Sequence, residues 1–337
     1  MKLVIPPRLK KGDTIGIIAP SSSLVKFAPH RLENAINFLK TEGFFIKVYD
    51  NVYNFNGWES APAKKRAEEL MDSFKDKKIK AIICLIGGST ANKILKFIDF
   101  DVIKNNPKIF CGYSDITVLH YAILKKVGLQ TYYGPSIMNQ FGEFPKPLDF
   151  TIKSFYKSTK NKFLGDIHPS EKWTQETLDW VKEEDLKRAR KLIPNKGYEW
   201  LRKGKAEGKI IGGCLNSICH LLGTDYLPDH KNSILFLETS EGSKFDEGES
   251  LAEVDAHFAD LENSGIFSQI SGLIIGRPFK YLEKEIGKFK EIILDNTKEY
   301  NFPILYGVDI GHTDPMITVP LFNNSKIDSS KNLFSLN

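Results

Sequence analysis

From residue 13 to residue 135, short apolar runs alternate with stretches of helical periodicity. Asp13–Pro20, DTIGIIAP, reads as a buried parallel strand bounded by Gly12 and Pro20, and the polar Ser21-Ser22-Ser23 follows at its carboxyl end. Pro29–Thr41 places Leu32, Ala35, Ile36 and Leu39 on one helical face and stops at Gly43. Phe44–Tyr49 is a second strand. In Pro62–Phe74 the residues Ala67, Leu70, Met71 and Phe74 form an inward stripe, with Lys64, Lys65, Glu68 and Glu69 on a solvated face. Ile79–Ile86, IKAIICLI, is a third strand running into Gly87-Gly88-Ser89-Thr90 and a helix over Asn92–Phe97. Ile109–Cys111 leads through Gly112-Tyr113-Ser114-Asp115 into a helix with Ile116, Leu119, Ile123 and Val127 on one face, ended by Gly128. Gln130–Gly134 is a further short strand.

This alternation predicts an α/β fold with a doubly wound parallel sheet, whose ligands sit at the carboxyl ends of the strands. Ser21, Gly88 and Ser114 all fall on that edge. From Asp149 to Gly208 the pattern loosens, and Trp173, Trp180 and Trp200 stand among many charges. Such a stretch is either a linker draped over the core or a substrate lid. Regular spacing resumes with Ile210-Ile211-Gly212-Gly213 and a helix-like run from Asn216 through Leu222. Then come a strand Ile234–Leu237 ending in Glu238-Thr239-Ser240, a helix Glu249–Leu261, a strand Gly272–Pro278, a helix Tyr281–Tyr300 and a strand Pro303–Ile310 ending in Gly311-His312-Thr313-Asp314-Pro315. Antiparallel strands near Ile317–Pro320, Lys326–Ile327 and Leu333–Phe334 close the chain. The predicted organisation is an α/β domain over 1–165, a linker or lid over 166–208 and a second domain over 209–337.

A chain of 337 residues is long enough for two domains with sizeable cores. Its net charge of +5 is the difference of 47 basic and 42 acidic residues, too balanced and dispersed for a nucleic-acid footprint, while an anionic small substrate is not repelled. MKLVIPPRLKKGD has too few apolar residues before Pro6-Pro7 for a secretory signal, and no apolar run approaches the ~20 residues that span a bilayer. A cytoplasmic location without membrane contact is therefore expected. Cys84, Cys111, Cys214 and Cys219 make no C-x-x-C pair and no histidine stands near them at zinc-ligand spacing, so buried thiols are expected, with no metal and no cofactor.

The turn Gly112-Tyr113-Ser114-Asp115-Ile116 keeps only the first glycine of the G-x-S-x-G elbow. A serine there is either a nucleophile beside the opening N–H groups of a helix, or an ordinary N-cap. The glycines at 87 and 88 likewise direct N–H groups at an anion or oxyanion, or simply make a tight turn. A nucleophilic serine needs a base, and the base needs a partner that fixes its tautomer. His312 is set at a strand end in a turn bounded by glycine and proline. His120 lies on an apolar helix face and suits a structural role, and His30, His168 and His230 sit in polar loops. Glu238 ends an apolar strand, where a carboxylate is costly unless paired, so an ion pair or cap is the plainer reading of it alone. The order Ser114, Glu238, His312 is that of the α/β-hydrolases. A non-catalytic anion-binding module is the alternative from another class.

Six separated blocks, PPRLKKGDTIGIIAPSS, IGGST, CGYSDIT, IIGGCLNSI, LFLETS and GHTDPMITVP, resemble the LD-carboxypeptidase family of serine peptidases in order and over nearly the whole chain. The resemblance implies Ser114 as nucleophile, His312 as general base and Glu238 as its orienting carboxylate, with the backbone N–H groups of Gly88 and Asp115 as oxyanion hole. It also implies a homodimer with an amino-terminal Rossmann-like (flavodoxin-like) domain, a carboxyl-terminal α/β barrel-like domain and an active site where they meet. SEKWTQETLDWV and IPNKGYEWL are similar to the family's microcin-immunity branch. That likeness implies a small peptide or peptidyl-nucleotide substrate, with Trp180 stacking on the nucleobase and Gly87 and Ser89 as further substrate contacts. Murein tetrapeptide cleavage in cell-wall recycling is the alternative within the family.

Overall fold

A computed structural model describes residues 3–160 and 164–337. They form two compact units, the first comprising 3–160, 178–191 and 317–320, the second 164–177, 192–316 and 321–337.

The first unit is built on β1 (Thr14–Ile18), β2 (Phe45–Val48), β3 (Ile79–Cys84), β4 (Ile109–Gly112) and β5 (Tyr132–Tyr133). They run parallel in the order 2-1-3-4-5, the flavodoxin order. Alternate residues along the strands bury against helices on opposite faces. Ile15, Ile17, Ala81, Ile83, Ile109 and Cys111 join Leu32, Ala35 and Leu39 of the helix Pro29–Thr41 in one core. On the other face Phe110 stacks on Phe74 of the helix Ala63–Lys75. The helix Thr117–Val127 is buried along most of its length and ends at Gly128, whose φ of 74° is the left-handed cap that glycine adopts without strain. The glycine-rich turn after β3 opens 3-10 turns over Ala91–Phe97.

One residue of the helix Ala63–Lys75 departs from the sequence pattern. Glu69, expected on the solvated face, is buried, and its carboxylate accepts from the N–H groups of Asn51 (2.9 Å) and Ala19 (3.3 Å). Burial pushes its pKa up to about 7, against the pull of those two donors.

The second unit contains β6 (Gly165–Asp166), β7 (Lys172–Trp173), β8 (Ile193–Pro194), β9 (Glu199–Arg202), β10 (Lys205–Cys214), β11 (Ser233–Glu238), β12 (Gly272–Gly276) and β13 (Ile304–Val308). The next strand, β14 (Val319–Pro320), belongs to the first unit, where it adds antiparallel to β5. β15 (Asn324–Asp328) and β16 (Leu333–Leu336) complete the second. Its eight-stranded sheet has the order β6-β16-β15-β10-β11-β12-β13-β9, parallel from β10 to β13 and antiparallel on both flanks, with β7 and β8 paired separately. The helices Leu251–Asn263 and Glu283–Asn296 bury Val254, Phe258, Leu261, Phe289 and Ile293.

The stretch with loose periodicity is ordered by polar anchors. Asp309, fully buried after β13, accepts from Arg277 Nη2 (2.7 Å), Ser170 N–H (2.8 Å), Ser170 Oγ (3.0 Å) and Tyr198 OH (3.4 Å). The same Arg277 lies 4.5 Å over the ring of Trp173. In the first unit, buried Asp185 pairs with His30 at 3.0 Å and Arg31 at 3.1 Å, and Arg31 lies 4.4 Å over the ring of Trp180. Among the described residues no helix is long and apolar enough to cross a membrane.

The Asp309 hub makes a stability prediction. Asp309→Ala leaves the Arg277 guanidinium half-paired in a buried setting, and breaking such a pair costs about 3–5 kcal/mol. Urea unfolding followed by tryptophan fluorescence should show that loss; an unchanged midpoint would mean the hub carries no stability.

Candidate active site

The turn that carries Ser114 lies at the carboxyl end of β4, next to the point in the strand order where ligands of such sheets collect. Ser114 has φ 62°, the left-handed region that a serine rarely adopts, and it is part-exposed while Asp115 is buried. Its N–H donates to Tyr133 OH (3.2 Å) and its carbonyl accepts from Thr117 Oγ1 (2.6 Å), so both backbone groups of the turn are tied down. A left-handed backbone at a part-exposed serine fits an elbow better than an N-cap, whose own backbone is extended.

The glycine turn after β3 is pressed against it. A Cβ on Gly87 would lie 2.8 Å from Ser114 Cβ, closer than side chains approach, and 3.5 Å from the Asp115 nitrogen. Gly88, with φ 146°, would place a Cβ 2.5 Å from Ser21 Oγ. Gly88 and Ser89 are exposed on this edge. Beneath it, the Asp115 carboxylate accepts from Ser21 Oγ (2.5 Å) and from Ala91 N–H (2.7 Å). Arg66 donates to Pro20 O (2.7 Å) and Thr90 O (3.1 Å) and pairs with Glu59 at 2.7 Å. The family resemblance implies a role only for the N–H of Asp115. Its carboxylate and Arg66 connect the turns after β1, β3 and β4, and the signal they left was an acid inside an elbow and an arginine on a helix stripe.

His120 behaves as a structural residue. Its Nε2 faces Gly112 O (2.9 Å) and so carries the proton, Nδ1 accepts from Thr131 Oγ1 (2.8 Å), and burial lowers its pKa to about 4. His230, expected in a polar loop, is buried instead, with its pKa lowered to about 4 by burial.

In the second unit Glu238, at the end of β11, and His312, in the turn after β13, meet across the end of β12. Nδ1 of His312 lies 2.7 Å from Glu238 Oε2, and both residues are buried. Gly311, at φ 102°, follows β13 where any side chain would strike the Glu238 carboxylate. Burial disfavours a charged ring, but Glu238 and then Glu241, 3.4 Å from Nε2, outweigh it, and the pKa of His312 is pushed up to about 9. Among the described residues no group of His, Cys, Asp and Glu could hold a metal ion. Cys84, Cys111 and Cys214 are buried and burial pushes their thiols up, away from thiolate chemistry.

The LD-carboxypeptidase N-terminal domain matches residues 15–134 and the LD-carboxypeptidase C-terminal domain matches residues 207–327. The chain belongs to the LD-carboxypeptidase family. It is therefore a hydrolase of the serine carboxypeptidase type, as the six blocks implied, and the reading as a non-catalytic module falls away. Among its relatives are the microcin C7 self-immunity protein MccF of Escherichia coli, 33% identical over 96% of this chain and 93% of that protein, and a probable murein peptide carboxypeptidase of Bacillus subtilis, 31% identical over 94% and 89%. The solved structure of wild-type MccF without ligand superposes with a TM-score of 0.90 at 32% identity, covering 99% of this chain and 98% of that one. MccF has also been solved with aspartyl sulfamoyl adenosine, and as a tryptophan-to-phenylalanine mutant with adenosine monophosphate.

The contact at Gly87 makes a prediction within this family frame. Gly87→Ala forces the glycine turn away from Ser114, and displacement of about 1 Å in a catalytic constellation costs on the order of 100-fold in turnover. Turnover should fall by that order with the circular dichroism spectrum preserved; full activity would show that the close approach is incidental.

Proposed function

We propose that this carboxypeptidase works through Ser114, His312 and Glu238 on the amide of a small peptidyl or aminoacyl nucleotide. The observation that carries the reading is the left-handed backbone of Ser114 at the sheet's carboxyl edge, supported by the 2.7 Å pairing of His312 with Glu238. In this reaction Ser114 Oγ attacks the carbonyl carbon while Nε2 of His312 takes its proton. Glu238 accepts from Nδ1–H, fixing the tautomer and stabilising the imidazolium. The N–H groups of Gly88 and Asp115 receive the oxyanion of the tetrahedral intermediate. His312 then passes its proton to the leaving amine, and the C–N bond breaks. Water, deprotonated by the same ring, releases the acyl group from Ser114.

The nucleotide end of the substrate is supported by the likeness to MccF over nearly the full length and by the aspartyl sulfamoyl adenosine and glutamyl sulfamoyl guanosine with which that protein has been solved. Trp180 is the proposed stacking partner of the base. With Arg31 over one face of its ring, the base takes the opposite face. Gly87 and Ser89 line the acyl end in this proposal, which also includes the homodimer and cytoplasmic location implied by the family resemblance. The murein tetrapeptide reading keeps its support in the relation to the murein peptide carboxypeptidase of Bacillus subtilis.

Ser114→Ala and His312→Ala should each lower kcat by roughly 10⁴- to 10⁶-fold, because members of a triad act as a unit. Assay with aspartyl sulfamoyl adenosine and with murein tetrapeptide in parallel checks both the triad and the substrate; near-wild-type hydrolysis by Ser114→Ala would end the nucleophile assignment. Trp180→Ala should raise KM for the adenylate by roughly 5- to 150-fold, the equivalent of ~1–3 kcal/mol per stacked base. Cleavage of the adenylate at an unaltered KM would remove Trp180 from the site.

A further inference from the structure

The imidazole of His312 has a carboxylate against each of its nitrogens. Glu238 faces Nδ1 at 2.7 Å, and Glu241, three residues further on, places Oε2 3.4 Å from Nε2. Nε2 is the nitrogen that the proposed reaction uses. We infer that Glu241 is a positioning residue which, from the Nε2 side, sets how tightly His312 holds its proton. The inference rests on His312 being the general base.

The placement of Glu241 is built into the fold. Glu241 bridges antiparallel to Gly248, Gly242 N–H donates to Glu247 O (2.9 Å), and Glu249 N–H donates to Ser240 O (3.3 Å). These bonds close the loop 242–247 at its root, so Glu241 stands on the fixed end while Phe245, 72% exposed, is at the tip. The root is packed on the segment after β12, where a Cβ on Gly248 would meet the carbonyl of Phe279, and the Phe279 ring lies 6.3 Å from that of His312. Glu241 is part-exposed where Glu238 is fully buried, at side-chain exposures of 32% and 0%. Its charge is therefore one that solvent, or a bound group, can modulate.

Among the described residues, three carboxylates act on the ring from its neighbouring elements. Glu238 and Glu241 come from β11 and the turn after it, and Asp314 from the ring's own turn. Arg277, from the end of β12, reaches Thr313 Oγ1 at 3.3 Å and is matched by Asp309 at 2.7 Å. Phe279 is uncharged. The balance around the ring is thus anionic, in keeping with a pKa of about 9 despite burial, which alone would lower it.

The sign of the effect on rate follows. A ring whose pKa is raised to about 9 is protonated at neutral pH, and a protonated ring cannot accept the serine proton. The reactive fraction rises about tenfold per pH unit up to the pKa and levels above it. Glu241 accordingly makes the base stronger and less available. An opposite charge within about 4–6 Å moves a pKa by roughly 1–3 units, so removing it matters on a measurable scale.

The experiment compares wild type, Glu241→Gln and Glu241→Asp in two ways. NMR titration of the full-length protein with labelled histidine gives the midpoint of His312 directly, its resonance assigned by loss in His312→Ala. The pH dependence of fluorophosphonate labelling of Ser114 gives the kinetic midpoint without a choice of substrate. In Glu241→Gln both midpoints should fall by about one unit or more, with labelling faster than wild type at neutral pH and no faster on the alkaline plateau. Glu241→Asp, which keeps the charge, should lie between. Identical His312 midpoints in wild type and Glu241→Gln would overturn the inference. Failure of the underlying reading looks different: wild-type labelling no higher than in Ser114→Ala, whatever the NMR midpoints do.

Discussion

Holding a serine in the left-handed region costs on the order of 1–3 kcal/mol, and the turn at Ser114 exists only because its surroundings over-determine it. The backbone groups on either side are hydrogen-bonded to Tyr133 and Thr117, and Gly87 fills the space a relaxed turn would need. Just below, the Asp115 carboxylate and Arg66 bind the turns after β1, β3 and β4 into one network. Hydrogen bonds to charged groups contribute about 1.5–3 kcal/mol each, so a few of them offset the strain. The flavodoxin strand order matters here because it sets β1, β3 and β4 side by side, which makes three loops distant in sequence available to one carboxylate.

The second unit solves a different problem with the same means. A buried imidazole loses hydration and would stay neutral on its own. The carboxylate of Glu238 reverses that preference, and Gly311 leaves room for it where any side chain would collide. The two effects have opposite signs and the attraction wins, since the pKa of His312 ends near 9. His120 is the internal control. It is also buried, its nitrogens face a carbonyl and a hydroxyl, and its pKa is lowered to about 4. Between these two buried histidines the difference in pKa thus comes from the acids beside His312, not from the depth of burial.

Most of the strands were legible because a buried parallel strand needs an uninterrupted apolar run, and glycine, proline or a polar triplet marks its end. The same logic singled out Ser114, Glu238 and His312 as candidates at strand ends, and the family resemblance supplied their proposed roles. Pairings between distant residues left no such trace. The partners of the Asp115 carboxylate, the burial of Glu69 between two backbone donors and the hub at Asp309 are matters of three-dimensional neighbourhood. Nothing in a helical stripe distinguishes a glutamate facing water from one facing two free N–H groups. Likewise β14 reads as part of a terminal antiparallel set, and only the hydrogen bonding shows that it completes the edge of β5.

The stretch from 164 to 208 is ordered without a hydrophobic face, and that bears on selectivity. It is held by buried aspartates at 185 and 309 and by two arginines lying on tryptophan rings, Arg31 on Trp180 and Arg277 on Trp173. Contacts of the cation–ring kind contribute about 0.5–2 kcal/mol each, so the segment depends on the buried aspartates as well as on these ring contacts. Yet Arg31 does more than anchor. Because it pairs with Asp185 and also covers one face of Trp180, the indole is oriented before any ligand arrives. Immobilising a side chain at a binding surface ordinarily costs about 0.5–1.5 kcal/mol. Here that cost is met in folding, so a planar group stacking on Trp180, as proposed, would keep more of its stacking free energy. On that proposal, selectivity for a nucleobase would depend on Arg31 as well as on the tryptophan it orients.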